Sequence, residues 1–290
     1  MNFSFKTVAL IGKYKTPAIA EPLLRLAGFL AEKGVVVVVD SLTAEHLGQH
    51  PYRVLSLDKM EGEVDLAVVM GGDGTMLNIA RTLAPFGIPL AGVNHGRLGF
   101  LTDISLESMK RTLSAMLQGE FVTEKRMLLA VRVMRNDTGV CHATAFNEMV
   151  VHRSNIGSMI ECEVRIDGDY LYTQRADGLI VSTPTGSTAY ALSAGGPIVH
   201  PALDVMALVP VCPHTLSNRP IVVSGESEIE ILMHRTGQVH VRFDSHTHFD
   251  LQVHDRLVVA RHKESVRLLH PVGHSYYHTL REKLLWNKSL

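Results

Sequence analysis

Four stretches carry residues whose types and spacing suit chemistry. The first is "DLAVVMGGDGTMLNIA", residues 65–80, where an apolar run stops at Gly71, Gly72, Asp73 and Gly74 before a helical pattern begins. Glycines let the backbone approach a ligand closely. Successive backbone N–H groups at a helix start favour an anion such as phosphate. A carboxylate among phosphates is repelled unless it takes a proton or holds a metal ion. The competing reading is that Asp73 caps a helix beginning near Thr75. No Gly-Lys-Ser/Thr follows, so the loop is no Walker motif, and no third glycine completes GxGxxG.

The second stretch, "NHGRLGFLTDI" at 94–104, follows the apolar run "IPLAGV". It therefore lies at the carboxyl end of a strand, where open α/β sheets bind ligands. In the third, "AFNEMVVHR", Asn147 and Glu148 are adjacent. An amide and a carboxylate suit the hydrogen-bonding edges of a ribose and an adenine. On a regular strand they point to opposite faces, and only a bend brings both to one ligand. The fourth is "QRADGLIVSTPTGSTAYALSAGGPIVHP", residues 174–201, crowded with small and hydroxylated side chains from Ser182 to Ser193. A core does not choose so many Ser and Thr without partners. A helix near Ser187 would offer free N–H groups, Tyr190 could bracket a ring, and Arg175 and Asp177 share a face if extended.

These residues need elements to position them. From Lys6 to about Val93, β-branched runs ("TVALIG", "VVVVVD", "DLAVVM", "IPLAGV") alternate with helical patterns such as "AEPLLRLAGFLAEKG". Apolar runs without alternation suit strands covered on both faces, which means a parallel sheet. The order predicts a doubly wound, Rossmann-like α/β domain over residues 1–120. Beyond about Phe121 the runs are short, several alternate, and turn residues such as "IDGDY" separate them. They predict a β-rich, sandwich-like domain over 121–270. The last segment, 271–290, reads as a helix returning to the first domain.

Composition narrows the class. Of 290 residues, 46% are hydrophobic and 20% charged, and net charge is −1. That suits a globular protein with a core and argues against nucleic acid as partner. No apolar stretch approaches a membrane span, and the first residues lack a secretory signal pattern. Three cysteines without close pairing (Cys141, Cys162, Cys212) predict reduced, buried thiols and a cytoplasmic address.

Taken in order, "GGDGT", "NHGRLGFLTD", "NEMVVH", "DGLIVSTPTGSTAYALSAGGPI" and "PHTLSNRPIVV" make the chain resemble the NAD kinases of the short bacterial type, from about Lys6 to the final helix. The resemblance implies an α/β domain followed by a β-rich one, with the active site between them. It implies transfer of the γ-phosphate of ATP to the adenosine 2′-hydroxyl of NAD with a divalent cation, Mg²⁺ foremost, giving NADP. It also implies a homodimer or homotetramer. Position by position, Asp73 becomes the catalytic carboxylate, with Gly74 beside the nucleotide. Asn147 and Glu148 become contacts to the NAD adenosine. Arg175 and Asp177 line the dinucleotide pocket, and Thr188, Ala189, Tyr190, Ala191, Leu192 and Ser193 wrap one nucleoside. Ser158 and His246 fall at further substrate contacts. No residue is assigned as a metal ligand; His246 and His248, two apart, read as a solvated or packed pair. A lipid or sugar kinase with the same loop, and a dinucleotide sensor without turnover, are the other classes. Against the lipid version, the chain shows no amphipathic anchor, and a pure sensor has no use for Asp73.

Overall fold

The computed structural model describes residues 3–14, 16–96, 98–153, 159–215, 217–235, 238–244 and 247–286. The chain divides into two compact units, Met1–Lys125 with Val266–Leu290, and Arg126–Ser265.

The first unit is built on an eight-stranded sheet. Thr7–Gly12 lies at its middle, paired in parallel with Val36–Asp40 on one side and Leu66–Gly71 on the other. Arg53–Leu55 extends it outward from Val36–Asp40, and Leu90–Asn94 from Leu66–Gly71. The β-branched runs form these strands because both sheet faces are covered. Leu23, Leu26 and Leu30 of the helix Ala20–Glu32 pack with Leu113 and Met116 of the helix Met109–Leu117 on the face of Val8, Leu10, Val68 and Ala91. Gly92 faces the opposite way, and an added Cβ there would meet Met76 of the helix Asp73–Leu83 at 2.9 Å. Each fully buried leucine contributes about 1.5–3 kcal/mol relative to an exposed one.

Val266–Pro271 joins this sheet in parallel beside Leu90–Asn94, with Phe121–Arg126 next in order. The units therefore divide at Lys125/Arg126 and Ser265/Val266. The alternation in "SVRLLHP" marks a strand without saying which sheet it enters, which is why residues 266–270 read as β-domain sequence. Tyr276–Leu284 is the final helix, its start capped by Ser275, which accepts from the His278 N–H. Its Tyr276 ring lies 6.5 Å from that of Phe100. Among the described residues no helix is long and apolar enough to cross a membrane.

The second unit is a pair of six-stranded antiparallel sheets. One runs in the order Ile221–Ser224, Val205–Val211, Gly178–Ser182, Glu148–Arg153, Val239–Phe243, Thr247–Leu251. The other runs Asp169–Ala176, Ile160–Ile166, Ile229–Arg235, Arg256–Arg261, Leu129–Arg135, Thr138–Ala145. Their inward residues, among them Met149, Val151, Val181, Val241 and Phe243 from the first and Val131, Val164 and Ile231 from the second, form one core. Asp167 (φ 53°) and Gly168 (φ 87°) make the left-handed two-residue turn that closes the "IDGDY" hairpin. Of the three thiols expected to be buried, Cys162 is; Cys141 is half-buried and Cys212 exposed, because Cys212 leaves its strand with φ 46°.

Candidate active site

In the first unit the strand Leu66–Gly71 delivers the chain to the helix Asp73–Leu83, and Gly72 is that helix's N-cap. Asp73 is thus the first helical residue and does not cap. Its carboxylate turns to the neighbouring loop instead. Oδ2 accepts the Phe100 N–H at 2.8 Å, while Oδ1 accepts the Leu101 N–H at 3.0 Å and the Thr102 hydroxyl at 3.4 Å. The two stretches singled out by sequence, 71–74 and 94–104, therefore meet at this carboxylate. Gly99 makes the meeting possible, since an added Cβ would collide with the Asp73 carboxylate and the Thr102 hydroxyl. At Gly72 and Gly74 an added Cβ would have nothing within 4 Å, so the space beside the loop is open.

In the second unit Asn147 sits between Thr138–Ala145 and Glu148–Arg153, and Glu148 opens the latter strand. Asp244 is the organiser of this corner. Its Oδ2 accepts the Phe146 N–H at 3.1 Å, and Oδ1 accepts those of Asn147 at 2.8 Å and Glu148 at 3.2 Å. The Thr183 hydroxyl donates to the Phe146 carbonyl at 2.6 Å. Gly186 comes so close to the Asn147 carbonyl that a Cβ there would collide with it. Glu148 is buried, and among the described residues its Oε2 has no hydrogen-bond partner. Burial, and then the Asp244 charge, raise its pKa from 4.5 to about 8.

The hydroxyl-rich block, read as a ligand segment because so many Ser and Thr need partners, finds many of those partners within its own unit. Ser182, Thr183, Thr185 and Ser187 are all buried, and their hydroxyls have partners inside the unit. Ser187 donates to the Pro184 carbonyl at 2.6 Å and accepts the Val199 N–H at 3.0 Å. The helix expected near Ser187 is a 3-10 turn, Gly186–Thr188, followed by four helical residues, Tyr190–Ser193. Ala191 anchors that segment against Val150, Ile180, Ala207 and Val209. Tyr190 is left 39% exposed, beside a cavity of about 290 Å³ lined by Glu148, Val150, His152, Arg242 and Asp244.

Asn147, Glu148 and the 183–190 segment are thus brought together, whereas Arg175 and Asp177 are not. Arg175 is exposed and bonded to Glu161 at 2.7 Å, and Asp177 pairs with Arg153 at 2.8 Å. Both precede the five-residue strand Gly178–Ser182, whose far end carries the corner. At roughly 3.3 Å per residue that separation is about 17 Å. Ser158 and His246 lie outside the described residues.

Family models cover most of the chain: the ATP-NAD kinase N-terminal domain matches residues 8–121, and the ATP-NAD kinase C-terminal domain matches 146–270. The chain belongs to the NAD kinase family. It is 57% identical to the NAD kinase of Nitrosomonas europaea over 98% of this chain and 96% of that one. It is 50% identical to that of Thiobacillus denitrificans over the whole of both. Among solved structures it resembles yeast NADH kinase complexed with NADH, with a TM-score of 0.90 and 27% identity over 98% of this chain and 89% of that chain. It also resembles the NAD kinase from Archaeoglobus fulgidus in complex with ATP, with a TM-score of 0.73 and 27% identity over 96% and 98%.

Within this NAD kinase-family chain, three residues of the two sites were missed as functional from sequence: Thr102, Asp244 and, as a steric necessity, Gly99. Thr102 and Gly99 fall inside a stretch already singled out. Asp244 could be found only as the carboxylate ending an alternating strand, "VHVRFD", a signal that many surface strands share.

Proposed function

We infer that the chain is an NAD kinase, a phosphotransferase that moves the γ-phosphate of ATP to the 2′-hydroxyl of the adenosine ribose of NAD, giving NADP. The observation that carries this reading is the full-length identity to NAD kinases together with the seat of Asp73, the carboxylate at the glycine loop. Phosphoryl transfer needs alignment and charge neutralisation more than covalent help. A carboxylate offers about four lone-pair sites. In Asp73 the Phe100 and Leu101 amides and the Thr102 hydroxyl occupy three, leaving one on Oδ2. That lone pair is the acceptor for the ribose hydroxyl proton, and the backbone amides hold it in one orientation. The open space beside Gly72 and Gly74 admits the phosphates.

The adenosine goes to the Asn147–Glu148 corner, with Thr188, Ala189, Tyr190, Ala191, Leu192 and Ser193 around it. The α/β unit supplies the phosphoryl-transfer carboxylate and the β-rich unit the dinucleotide contacts. A single carboxylate with one lone pair to spare is no cage for a cation. Mg²⁺ would instead be carried in by the ATP phosphates, the usual way this ion is held, with water completing its shell and Asp73 keeping its free lone pair for the ribose hydroxyl. When bound, the ion would neutralise charge on the transferring group. The protein acts in the cytoplasm as a homodimer or homotetramer.

The test is direct. The full chain is incubated with ATP, Mg²⁺ and NAD, and the product is read with an NADP-specific dehydrogenase. NADP formation is expected; ATP consumption only with a sugar or lipid acceptor would sink the assignment.

A further inference from the structure

Asp73 is held by the 99–102 turn, so whatever holds that turn holds Asp73. The Gly99 N–H donates to the Thr102 carbonyl at 3.0 Å, and Ile104 pairs with Val93 of the central sheet. Between them lies Asp103. Its Oδ2 is 2.9 Å from Nδ1 of His270 and 2.9 Å from Nδ1 of His274. The other nitrogen of His270, Nε2, lies 3.0 Å from Glu124 Oε2. His270 is 1% exposed and sits on Val266–Pro271, the strand that pairs with Leu90; Glu124 belongs to Phe121–Arg126, the next strand in the sheet order. An imidazole facing a carboxylate at each nitrogen donates to both only as the imidazolium.

Asp103, His270 and His274 also offer ligand atoms within 4.8 Å of one another. Their arrangement speaks against a shared cation. The two imidazoles are stacked, with centroids 4.0 Å apart and planes 15° apart. The N···O contacts are all at hydrogen-bond distance, and with Glu124 at the second His270 nitrogen they account for both nitrogens of that ring without an ion.

We propose that His270 is a positioning residue for Asp73: steadied by Glu124, it clamps Asp103 and so fixes the turn whose amides orient the Asp73 carboxylate. The proposal rests on the reading of Asp73 as the phosphoryl-transfer carboxylate. The turn contains Gly99 and follows Gly96, so its own backbone resists little. A misplacement of about 1 Å in a reacting group can cost about a hundredfold in rate. Burial opposes the charged His270 ring, but the hydrogen bonds and charges of Asp103 and Glu124 outweigh it, and the pKa is raised from 6.5 to about 9. The titratable groups facing it are Asp103, Glu124 and the stacked His274. With the folded value raised, the clamp is complete at neutral pH and is released as pH rises through about 9.

The experiment uses the full chain, wild type and Glu124→Gln, with the His270 ring, the Phe100 and Leu101 amides (by NMR) and kcat all followed against pH. The two amides are expected to titrate with His270. Removing the Glu124 charge should lower the His270 midpoint by about one unit, and the alkaline fall of kcat should move with it. His270→Gln should lower kcat by about tenfold to a hundredfold with the KM for NAD within about twofold. Glu124→Gln keeps the test alive if that variant fails to fold. Amides indifferent to the His270 titration, or a kcat limb that stays while the midpoint moves, would overturn the clamp. So would a stoichiometric transition metal bound by the purified chain and lost in His274→Ala. If wild type turned over no NAD while the amides still followed His270, the clamp would stand and the assigned activity would fall.

Discussion

Both units solve the same problem with the same chemistry, but in opposite senses. In the α/β unit a carboxylate, Asp73, is held by the amides of a turn, Phe100 and Leu101. In the β-rich unit a turn, Phe146 to Glu148, is held by a carboxylate, Asp244. The first arrangement orients a charged group and leaves it facing open space. The second spends the charge on the backbone and presents what the backbone carries, Asn147 and the Oε2 of Glu148, which has no hydrogen-bond partner among the described residues. On the proposed function, the first would act on a ligand and the second display groups to it.

The comparison is broken most sharply at Asp73. Asn has one acceptor oxygen where Asp has two, so Asp73→Asn leaves either the Phe100 or the Leu101 N–H facing an amide NH2. The structural loss is that of one unmade hydrogen bond, about 1–3 kcal/mol. Turnover should fall much further, by at least about a hundredfold, because the proton acceptor is gone. Steady-state kinetics beside thermal melts check this. Had Asp73 been a cap, Asn would have replaced it without cost; a variant with near-normal kcat would return it to a structural role.

The position of Asp73 was legible because strand, glycine turn and helix are consecutive in sequence, and each leaves a local pattern. The seat of its carboxylate was not, since Phe100 and Leu101 donate through backbone groups that any residue has. The Asn147–Glu148 corner was legible as a polar pair, but the bend that lets it work is imposed by Asp244, 97 residues from Asn147. The hydroxyl block misled in a different way. Its composition correctly signalled unusual partners, yet Thr183 and Ser187 find them in carbonyls and amides of their own unit. Composition reports that a polar group needs a partner and not who the partner is. Strand Val266–Pro271 shows the same limit at the level of topology, because an alternating run does not name its sheet.

Asp244→Asn is the matching change in the other unit and sharpens the contrast. Its structural cost should resemble that of Asp73→Asn, about 1–3 kcal/mol, or about 2–4 °C in Tm for each kcal/mol in a chain of this size. The kinetic signature should differ. The KM for NAD is expected to rise about tenfold as the corner loosens, on the order of one lost hydrogen bond, while kcat changes far less. A fall in kcat as deep as that of Asp73→Asn would show that the two carboxylates are not divided in this way.

Glu148 gives a smaller effect with a definite sign. Its folded pKa, about 8, lies above the ordinary 4.5. The folded chain therefore binds the proton more tightly than the unfolded one. Stability from this group is complete below about 4.5 and is lost as pH rises to about 8, after which the loss levels off. Glu148→Gln mimics the protonated form and should flatten that part of the Tm-against-pH curve. A variant curve parallel to wild type from pH 5 to 8 would show that Glu148 is already ionised in the folded chain.

The smallest effect is expected at Arg175, where the family resemblance and the geometry pull apart. The resemblance puts it in the dinucleotide pocket. In the folded unit it is a 60% exposed side chain bonded to Glu161 at 2.7 Å. It also lies before the strand Gly178–Ser182, at the end away from the Asn147 corner. Exposed pairs contribute about 0–1 kcal/mol because water screens them and two long side chains must be ordered. Arg175→Ala should therefore shift Tm by no more than about 2–4 °C, and the shift should shrink further at high salt. The KM for NAD should stay within about twofold, since no hydrogen bond to a ligand is removed. A salt-independent rise in KM well beyond that, with Tm unchanged, would place the start of Gly178–Ser182 at the dinucleotide after all. The display surface of the β-rich unit would then have two separate ends.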